Sequence, residues 1–236
     1  SLIGGQVKTP TFSVLYQSKE DYVGGSGIVA QHMRAAGAEV HLSTVLGDDP
    51  LKEFALKRLT EVGIQTHPVI DNTRPTTNKN VIIADSYRLL KIDTVDNRPI
   101  SENIIVQLCN QIASTKVDCV VFSDFRHGIF NKSTISRLAE AIPKNTIRVA
   151  DSQVSTRWGN ITEFQNFNLV TPNEREARFA LADQESTIGS LASDIYKQTQ
   201  CENVILKRGS RGVFFSGKSN NHGTISHSVD SFADRV

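Results

Sequence analysis

The chain has 236 residues, enough for one large α/β domain or two small ones. Its hydrophobic fraction of 39% is ordinary for a globular protein, and 26 Lys and Arg residues against 25 Asp and Glu residues give a formal net charge of +1. This balance, without any basic block, excludes the charge pattern of proteins that bind nucleic acid or anionic membranes, and it favours a small molecule as the partner.

Helices with one apolar side are predicted by residues that recur at helical spacing. Three glycines, Gly24, Gly25 and Gly27, stand at the start of the first helix, and three more amphipathic helices follow. The apolar positions of these three are Leu51, Phe54, Ala55, Leu59 and Val62; Ile104, Ile105, Leu108, Cys109 and Ile112; and Ile135, Leu138, Ala139 and Ile142.

Short apolar runs of strand length lie between and after the helices. They are VHLSTVLG from Val40, CVVFSD from Cys119, IRVAD from Ile147, FNLVT from Phe167 and NVILKRG from Asn203. Strands that alternate with helices indicate a mostly parallel central sheet flanked by helices on both faces. The tail from Gly212 predicts antiparallel strands at the far edge of this sheet.

Two segments interrupt this alternation, TPTFSVLYQ from Thr9 and NVIIADSYRLLKIDTV from Asn80. The second predicts a hairpin that turns near Asp85 and Ser86. With a partner strand, segments at about 8–18 and 78–95 are expected to form a small β-sheet lid. Because isolated small sheets are marginal in water, we expect the lid to pair with a second copy of the chain in a homodimer.

The cysteines Cys109, Cys119 and Cys201 are odd in number and far apart, without the spacing of a zinc site or a disulfide framework. We interpret them as reduced thiols and expect a cytoplasmic location. The chain has no run of eighteen apolar residues and no basic-then-apolar start, so we expect neither a membrane span nor a signal peptide.

The stretch NFNLVTPNEREARFAL, from Asn166, ends an apolar strand at Pro172 and begins a helix with two carboxylates. Asn173 is a favoured N-cap, and acidic residues stabilise a helix start, which accounts for Glu174. Glu176 has a second interpretation, because a carboxylate at the carboxyl end of a strand in an open α/β sheet lies where ligands bind.

Glycines in two loops also allow two interpretations. Gly24 and Gly25 permit close approach of an anion or a hydroxyl to a helix start, or they form a tight turn. In LKRGSRG, Gly209 and Gly212 would let backbone N–H groups face phosphates, with charge supplied by Lys207 or Arg208; a hairpin turn with solvated basic side chains is the alternative.

The order of these segments resembles the PfkB or ribokinase family of sugar kinases over nearly the whole chain. The matching segments are the Gly-Gly helix, VLGDD, EVGI, the hairpin, SDFRHG, VADSQ, LVTPNEREA and LKRGSRGVFF. The wording of TTNKNVIIADSYRLLKID, VVFSDFRHG and NLVTPNEREA is most similar to the bacterial D-glycero-D-manno-heptose 7-phosphate kinases, which phosphorylate an anomeric hydroxyl with ATP and Mg²⁺.

The resemblance implies a single ribokinase-like kinase domain over residues 1–236 and ATP-dependent transfer of phosphate to a sugar or sugar phosphate. Two alternatives stay open: a kinase for another carbohydrate or a nucleoside, and a non-catalytic protein that binds sugar or nucleotide. On the nucleotide side, Asn173 and Glu176 match the family's Asn-x-x-Glu motif, with Glu176 holding Mg²⁺ through water. Lys207, Gly209 and Gly212 would lie beside the ATP phosphates.

On the sugar side, the resemblance implies roles for Gly24, Gly25 and Lys79, a lysine that suits a sugar phosphate. Asp124 would hold sugar hydroxyls or orient Arg126, and Arg126 itself is a candidate substrate ligand. Asp151, at the end of IRVAD, is a further candidate, with a loop cap as the alternative. His127 is interpreted as a loop histidine.

The chain departs from the family pattern in three places. Ile28 stands where many members have a sugar-binding Asn, and the usual first strand with its sugar-binding Asp is not found before Ser1. The catalytic Gly-Ala-Gly-Asp segment is expected after Val236. We therefore expect the domain to be incomplete at both ends and the 236-residue chain to lack the catalytic base.

Overall fold

The computed structural model describes residues 2–5, 12–153, 160–218 and 224–232. The chain divides into two compact units, residues 1–96 and 97–236. The helices are α1 (Ser26–Ala35), α2 (Pro50–Glu61), α3 (Glu102–Ser114), α4 (Lys132–Glu140), α5 (Glu174–Leu181) and α6 (Ile188–Thr199). The strands are β1 (Leu2–Gly5), β2 (Phe12–Val14), β3 (His41–Leu46), β4 (Gln65–Ile70), β5 (Asn78–Ala84), β6 (Tyr87–Thr94), β7 (Cys119–Asp124), β8 (Ile147–Ser152), β9 (Leu169–Val170), β10 (Asn203–Lys207), β11 (Val213–Lys218) and β12 (Thr224–Val229).

The first unit contains a two-stranded parallel sheet, β3 and β4, whose strands are connected by α2. Asp49 starts α2, because its side chain accepts a hydrogen bond from the Lys52 N–H and Pro50 takes the first helical position. Buried side chains from α1, α2 and the strand starts form the core of this unit: Ala30, Val40, Leu59 and Ile64.

The predicted hairpin is β5 and β6, which pair antiparallel from Asn78 opposite Thr94 to Ala84 opposite Tyr87. Asp85 and Ser86 form the turn, and Asp85 adopts a left-handed backbone with φ of 55°. Within the described residues the hairpin forms a two-stranded sheet without the expected partner strand, and β2 pairs with β1 instead. Residues 8–11 of the first expected lid segment lie outside those residues.

The second unit is built on a six-stranded sheet of order β12-β11-β10-β9-β8-β7. The strands β7 to β10 are parallel, whereas β11 and β12 add antiparallel to β10. The mostly parallel sheet and its antiparallel far edge confirm the prediction from the sequence. Helices pack against the sheet, among them α6 against β10 and β11 and α5 against β10.

Four phenylalanines pack together in the second unit. Phe122 of β7 lies with its ring centroid 5.1 Å from that of Phe130 and 5.4 Å from that of Phe167, and Phe164 joins the same cluster. Phe164 and Phe167 are almost fully buried. Aromatic packing of this kind fixes the loop after β7 against the segment that leads into β9.

The strand β4 and the helix α6 are absent from the prediction. In β4, Pro68 interrupts the apolar run, yet proline is accommodated at an edge strand, where it pairs with Thr44. In α6, Leu191, Ala192 and Ile195 are buried at helical spacing, a pattern that the sequence does carry. No helix in the described ranges is long and apolar enough to cross a membrane.

Candidate functional site

Polar side chains from three neighbouring parallel strands meet at the carboxyl edge of the large sheet. Asp151 lies at the end of β8, Thr171 follows β9, and Lys207 ends β10. The Thr171 hydroxyl donates to Asp151 Oδ1 over 2.9 Å, and the Lys207 ammonium pairs with the same oxygen. The carboxyl edge of a parallel sheet is where α/β proteins bind ligands, so this cluster is the leading candidate site.

Asn173 and Glu176 form a reciprocal cap at the start of α5, directly beside this cluster. The Asn173 side chain accepts from the Glu176 N–H over 2.8 Å, and Glu176 Oε2 accepts from the Asn173 N–H over 2.7 Å. The Lys207 N–H donates to the Pro172 carbonyl, which ties this cap to β10. Glu176 therefore does cap α5, but the cap uses only one of its two carboxylate oxygens.

Glu176 is an unusual capping residue because it is 8% exposed. Burial raises the pKa of Glu176; the Asn173 N–H and the Lys207 ammonium oppose the rise, and the Asp151 carboxylate adds to it. The Lys207 ammonium therefore pairs with Asp151 and also interacts electrostatically with Glu176. With both carboxyl groups ionised, a bound cation would balance the second negative charge.

The donor set suits Mg²⁺ held indirectly. Within the described ranges, no three His, Cys, Asp or Glu side chains converge as a complete protein-built metal site. Mg²⁺ commonly keeps several waters and needs only one or two carboxylates besides the phosphates of its substrate. Glu176, with one oxygen beyond its cap hydrogen bond, and the nearby Asp151 fit that requirement.

The loop after β10 contains a single turn of 3-10 helix, Gly209–Arg211. Gly209 has a φ of 59° and no atom near the position of a Cβ, so glycine is favoured there by the left-handed backbone and not by lack of space. Gly212 has a φ of 76°, and a Cβ there would overlap the Val229 carbonyl oxygen, so this glycine also supplies space. Lys207, both glycines and Asp230 line an open cavity of about 360 Å³.

Glu174 connects this glycine loop to α5. Its carboxylate accepts from the Arg178 guanidinium, with Nη2 at 2.9 Å, and pairs with the Arg211 guanidinium. Although burial favours the neutral form, the Arg178 hydrogen bond and the Arg211 charge lower the pKa of Glu174. The i,i+4 spacing of Glu174 and Arg178 could have been recognised in the sequence, but nothing in the sequence indicates the contact with Arg211.

Asp124 and Arg126 form a buried ion pair at the end of β7. Arg126 Nε lies 3.0 Å from Asp124 Oδ2, and Arg126 Nη2 donates to the Ser152 hydroxyl, which in turn donates to Asp124. Glu163 also pairs with Arg126. Burial raises the pKa of Asp124, and the Arg126 charge is the main opposing influence. These are the contacts expected if Asp124 orients Arg126, the second alternative from the sequence.

Three predicted sugar-side residues lie in the first unit. Gly25 is the N-cap of α1 with a φ of 56°, and a Cβ on Gly24 would meet no atom. Lys79 of β5 is 42% exposed, and its ammonium lies 3.4 Å from Asp93, which also pairs with Lys91. Two ammonium groups thus share one carboxylate at the base of the hairpin, which leaves a net positive charge.

The structure brings Asp151, Asn173, Glu176 and Lys207 together and places Gly209 and Gly212 in the adjoining loop. Asp124 and Arg126 lie further along the same sheet edge, in a network of their own. His127 Nδ1 lies 2.9 Å from the Asn97 side-chain oxygen. The functional roles assigned to all these residues remain predictions.

The mostly parallel sheet with polar residues at its carboxyl edge is the architecture of a ribokinase-like α/β protein. The sequence profile described as pfkB family carbohydrate kinase matches residues 9–231. The chain therefore belongs to the PfkB family of carbohydrate kinases.

Curated relatives carry the name Bifunctional protein HldE. The protein of that name from Bradyrhizobium diazoefficiens is 26% identical over 214 residues, which cover 87% of this chain and 43% of the relative. The one from Sulfurimonas denitrificans is 32% identical over 164 residues, or 68% of this chain and 34% of the relative. The chain thus spans less than half the length of these relatives.

Solved structures with the same fold include phosphofructokinase-2 from Escherichia coli in complex with fructose-6-phosphate. It is 17% identical, with a TM-score of 0.68, and the match covers 88% of this chain and 67% of that one. Ribokinase from Giardia lamblia is 15% identical with a TM-score of 0.66, over 96% of this chain and 73% of that one. At these identities the structural likeness shows the fold.

Proposed function

We propose that the chain carries the nucleotide and sugar sites of an ATP- and Mg²⁺-dependent kinase that phosphorylates a heptose 7-phosphate at its anomeric hydroxyl. The observation that carries the kinase proposal is the cluster of Asp151, Asn173, Glu176 and Lys207 beside the glycine loop. The heptose substrate rests on the wording of the hairpin, SDFRHG and TPNEREA segments, and on the relatives named HldE.

Each group in the cluster has a role in this chemistry. Glu176 and Asp151 would hold Mg²⁺ and its waters, and the metal would neutralise charge on the transferred phosphoryl group. The N–H groups of the Gly209 loop would face the nucleotide phosphates, and the Lys207 ammonium would add positive charge there. Catalysis of phosphoryl transfer depends mainly on such positioning and charge stabilisation.

On the sugar side, the surplus positive charge at the hairpin base suits a phosphorylated substrate. Lys79 is the ammonium we assign to the sugar phosphate, because Lys91 remains to pair with Asp93 when Lys79 turns to the ligand. Gly24 and Gly25 would admit sugar hydroxyls to the start of α1. Asp124 acts by holding Arg126 in its buried position.

The assembly we propose is a cytoplasmic homodimer that pairs through the hairpin. Several apolar side chains of the hairpin are exposed, including Ile83 at 58%, Leu90 at 53% and Ile92 at 47%. A two-stranded sheet with so much apolar surface in water is marginal by itself. Pairing with a second copy would cover these side chains, and a two-fold dimer is the commonest arrangement.

The test uses the full-length protein with ATP, Mg²⁺ and a panel of acceptors: heptose 7-phosphate, fructose 6-phosphate, ribose and adenosine. We expect the highest kcat/KM with heptose 7-phosphate and a second phosphate at C1 in ³¹P NMR. A higher kcat/KM with another acceptor would refute the heptose assignment. Nucleotide binding without transfer to any acceptor would refute the enzyme and favour a ligand-binding protein.

A further inference from the structure

The loop after β3 and the loop after β4 leave the same edge of the small parallel sheet in the first unit. The loop after β3 is Gly47-Asp48-Asp49, and the loop after β4 runs from Asp71 to Thr76 and leads into the hairpin. The Asp71 N–H donates to the Leu46 carbonyl, so the two loops start side by side.

Two hydrogen bonds join the two loops at Thr76, a residue that is only 7% exposed. Asp49 Oδ2 accepts from the Thr76 N–H over 2.7 Å, and the Gly47 N–H donates to the Thr76 hydroxyl over 3.0 Å. A Cβ on Gly47 would lie 2.5 Å from both the Arg74 carbonyl oxygen and the Thr76 nitrogen. Only glycine at this position lets the second loop approach so closely.

The second loop is also braced from within. Asp71 is 7% exposed, and its carboxylate accepts from the Thr73 N–H and hydroxyl and from Arg74 Nε at 2.7 Å. A loop held at its start by the buried Asp71 carboxylate and at its end by the Asp49 carboxylate has little freedom. The cap of α2 needs only one oxygen of Asp49, which accepts from the Lys52 N–H, so the second oxygen is committed to the hairpin side.

We propose that Asp49 is a positioning residue for the sugar site, because its bond to Thr76 fixes where the hairpin begins and thereby places Lys79 three residues later. The sugar-phosphate role of Lys79 rests on the proposed function. The bond itself does not, because it is a property of the first unit alone. Asp49 touches no substrate in this proposal and acts only through the backbone that carries Lys79.

The test variant is Asp49→Asn in the full-length protein. Asparagine caps helices as well as aspartate does, but it has one acceptor oxygen, so α2 keeps its cap and Thr76 loses its acceptor. The matched control is Asp48→Asn, which removes the same charge one residue earlier, where the side chain is 64% exposed and pairs with Lys52. Gly47→Ala should disrupt the same contact between Asp49 and Thr76, because the added Cβ would overlap the second loop.

Amide hydrogen exchange reports on the bond directly. We expect exchange at Thr76 to be roughly tenfold faster or more in Asp49→Asn, as for loss of a hydrogen bond to a charged acceptor, and unchanged in Asp48→Asn. The KM for the phosphorylated sugar should rise about tenfold, with the KM for ATP within about twofold of the wild type. Gly47→Ala should repeat both changes.

Two results would overturn the proposal: unchanged exchange at Thr76 in Asp49→Asn, or faster exchange with no selective rise in the sugar KM. If the wild-type protein phosphorylates no sugar, the proposed function fails. The KM for ATP then has no meaning, and protection of the Lys79 amide decides the proposal. Faster exchange at the Lys79 amide in Asp49→Asn supports the positioning role of Asp49, and unchanged exchange there refutes it.

Discussion

Replacement of Glu176 by glutamine separates its two roles, since the side chain both caps α5 and faces the strand-end cluster. Glutamine has nearly the same shape and retains an oxygen that can accept from the Asn173 N–H, so the reciprocal cap survives. What disappears is the charge. Because burial raises the pKa of Glu176, the ionised form is held in the fold at a cost, and its removal should not reduce the free energy of unfolding.

The expected loss lies in turnover. A carboxylate that supports charge stabilisation in the transition state is worth on the order of 10²-fold in kcat, equivalent to about 2.7 kcal/mol. Glu176→Gln should lose that much and require more Mg²⁺ for half-maximal rate, while its urea midpoint stays at the wild-type value. Glu176→Ala should lose the same activity and in addition about 1 kcal/mol of stability, because the Asn173 N–H then has no acceptor.

The pH dependence gives an independent check with a definite sign. A carboxyl group with a raised pKa binds its proton in the folded state at a pH where the unfolded state does not. The free energy of unfolding should therefore rise as the pH falls through the folded pKa, while activity falls over the same range. Glu176→Gln should lose the stability rise. Wild-type turnover and Mg²⁺ dependence in Glu176→Gln would refute the catalytic role and leave only the cap.

Three further outcomes are expected. Lys79→Ala should raise the KM for a phosphorylated sugar about tenfold and leave that for ATP unchanged, and equal effects on both would argue against a sugar-phosphate contact. Glu174→Gln and Arg211→Gln should each raise the KM for ATP by no more than about fivefold, because their ion pair is partly exposed. If the effects of the two substitutions are fully additive in the double variant, the Glu174–Arg211 pair does not hold the glycine loop. Ile83→Asp should convert a dimer to a monomer in light scattering, whereas a wild-type monomer at high micromolar concentration would contradict pairing through the hairpin.

The strands β7, β8 and β10 could be predicted because parallel strands buried on both faces appear as continuous apolar runs. Because Asp151 and Lys207 stand at the carboxyl ends of two of these strands, the sequence places both residues at the same edge of the sheet. The strand β4 could not be predicted, since its first four residues are polar or proline and leave only Val69 and Ile70 as an apolar run. Where the local pattern conflicts with tertiary pairing, the pairing decides the structure.

The side-chain network around Arg126 shows a different limit. The sequence places Asp124 and Arg126 two residues apart, which allows a contact between them. Ser152 and Glu163 are contributed by a later strand and a short 3-10 helix, so their contacts with Arg126 depend on how those loops fold. The sugar-side assignment of Lys79 came from family resemblance, and for Gly24 and Gly25 the glycines at a helix start left a tight turn as an equal alternative that only the resemblance decided.

The partners of the Lys207–Asp151 ion pair lie 56 residues apart in the chain, so this contact cannot form before β10 has been made. Parallel strands need a crossover before each new pairing, and contacts across long separations form slowly. During synthesis, β8 and its carboxylate are complete before β10 has left the ribosome. The cluster of Asp151, Asn173, Glu176 and Lys207 is therefore among the last parts of the second unit to form. Any ligand that binds this cluster can stabilise only the finished sheet, and it gives no help to the intermediates that precede it.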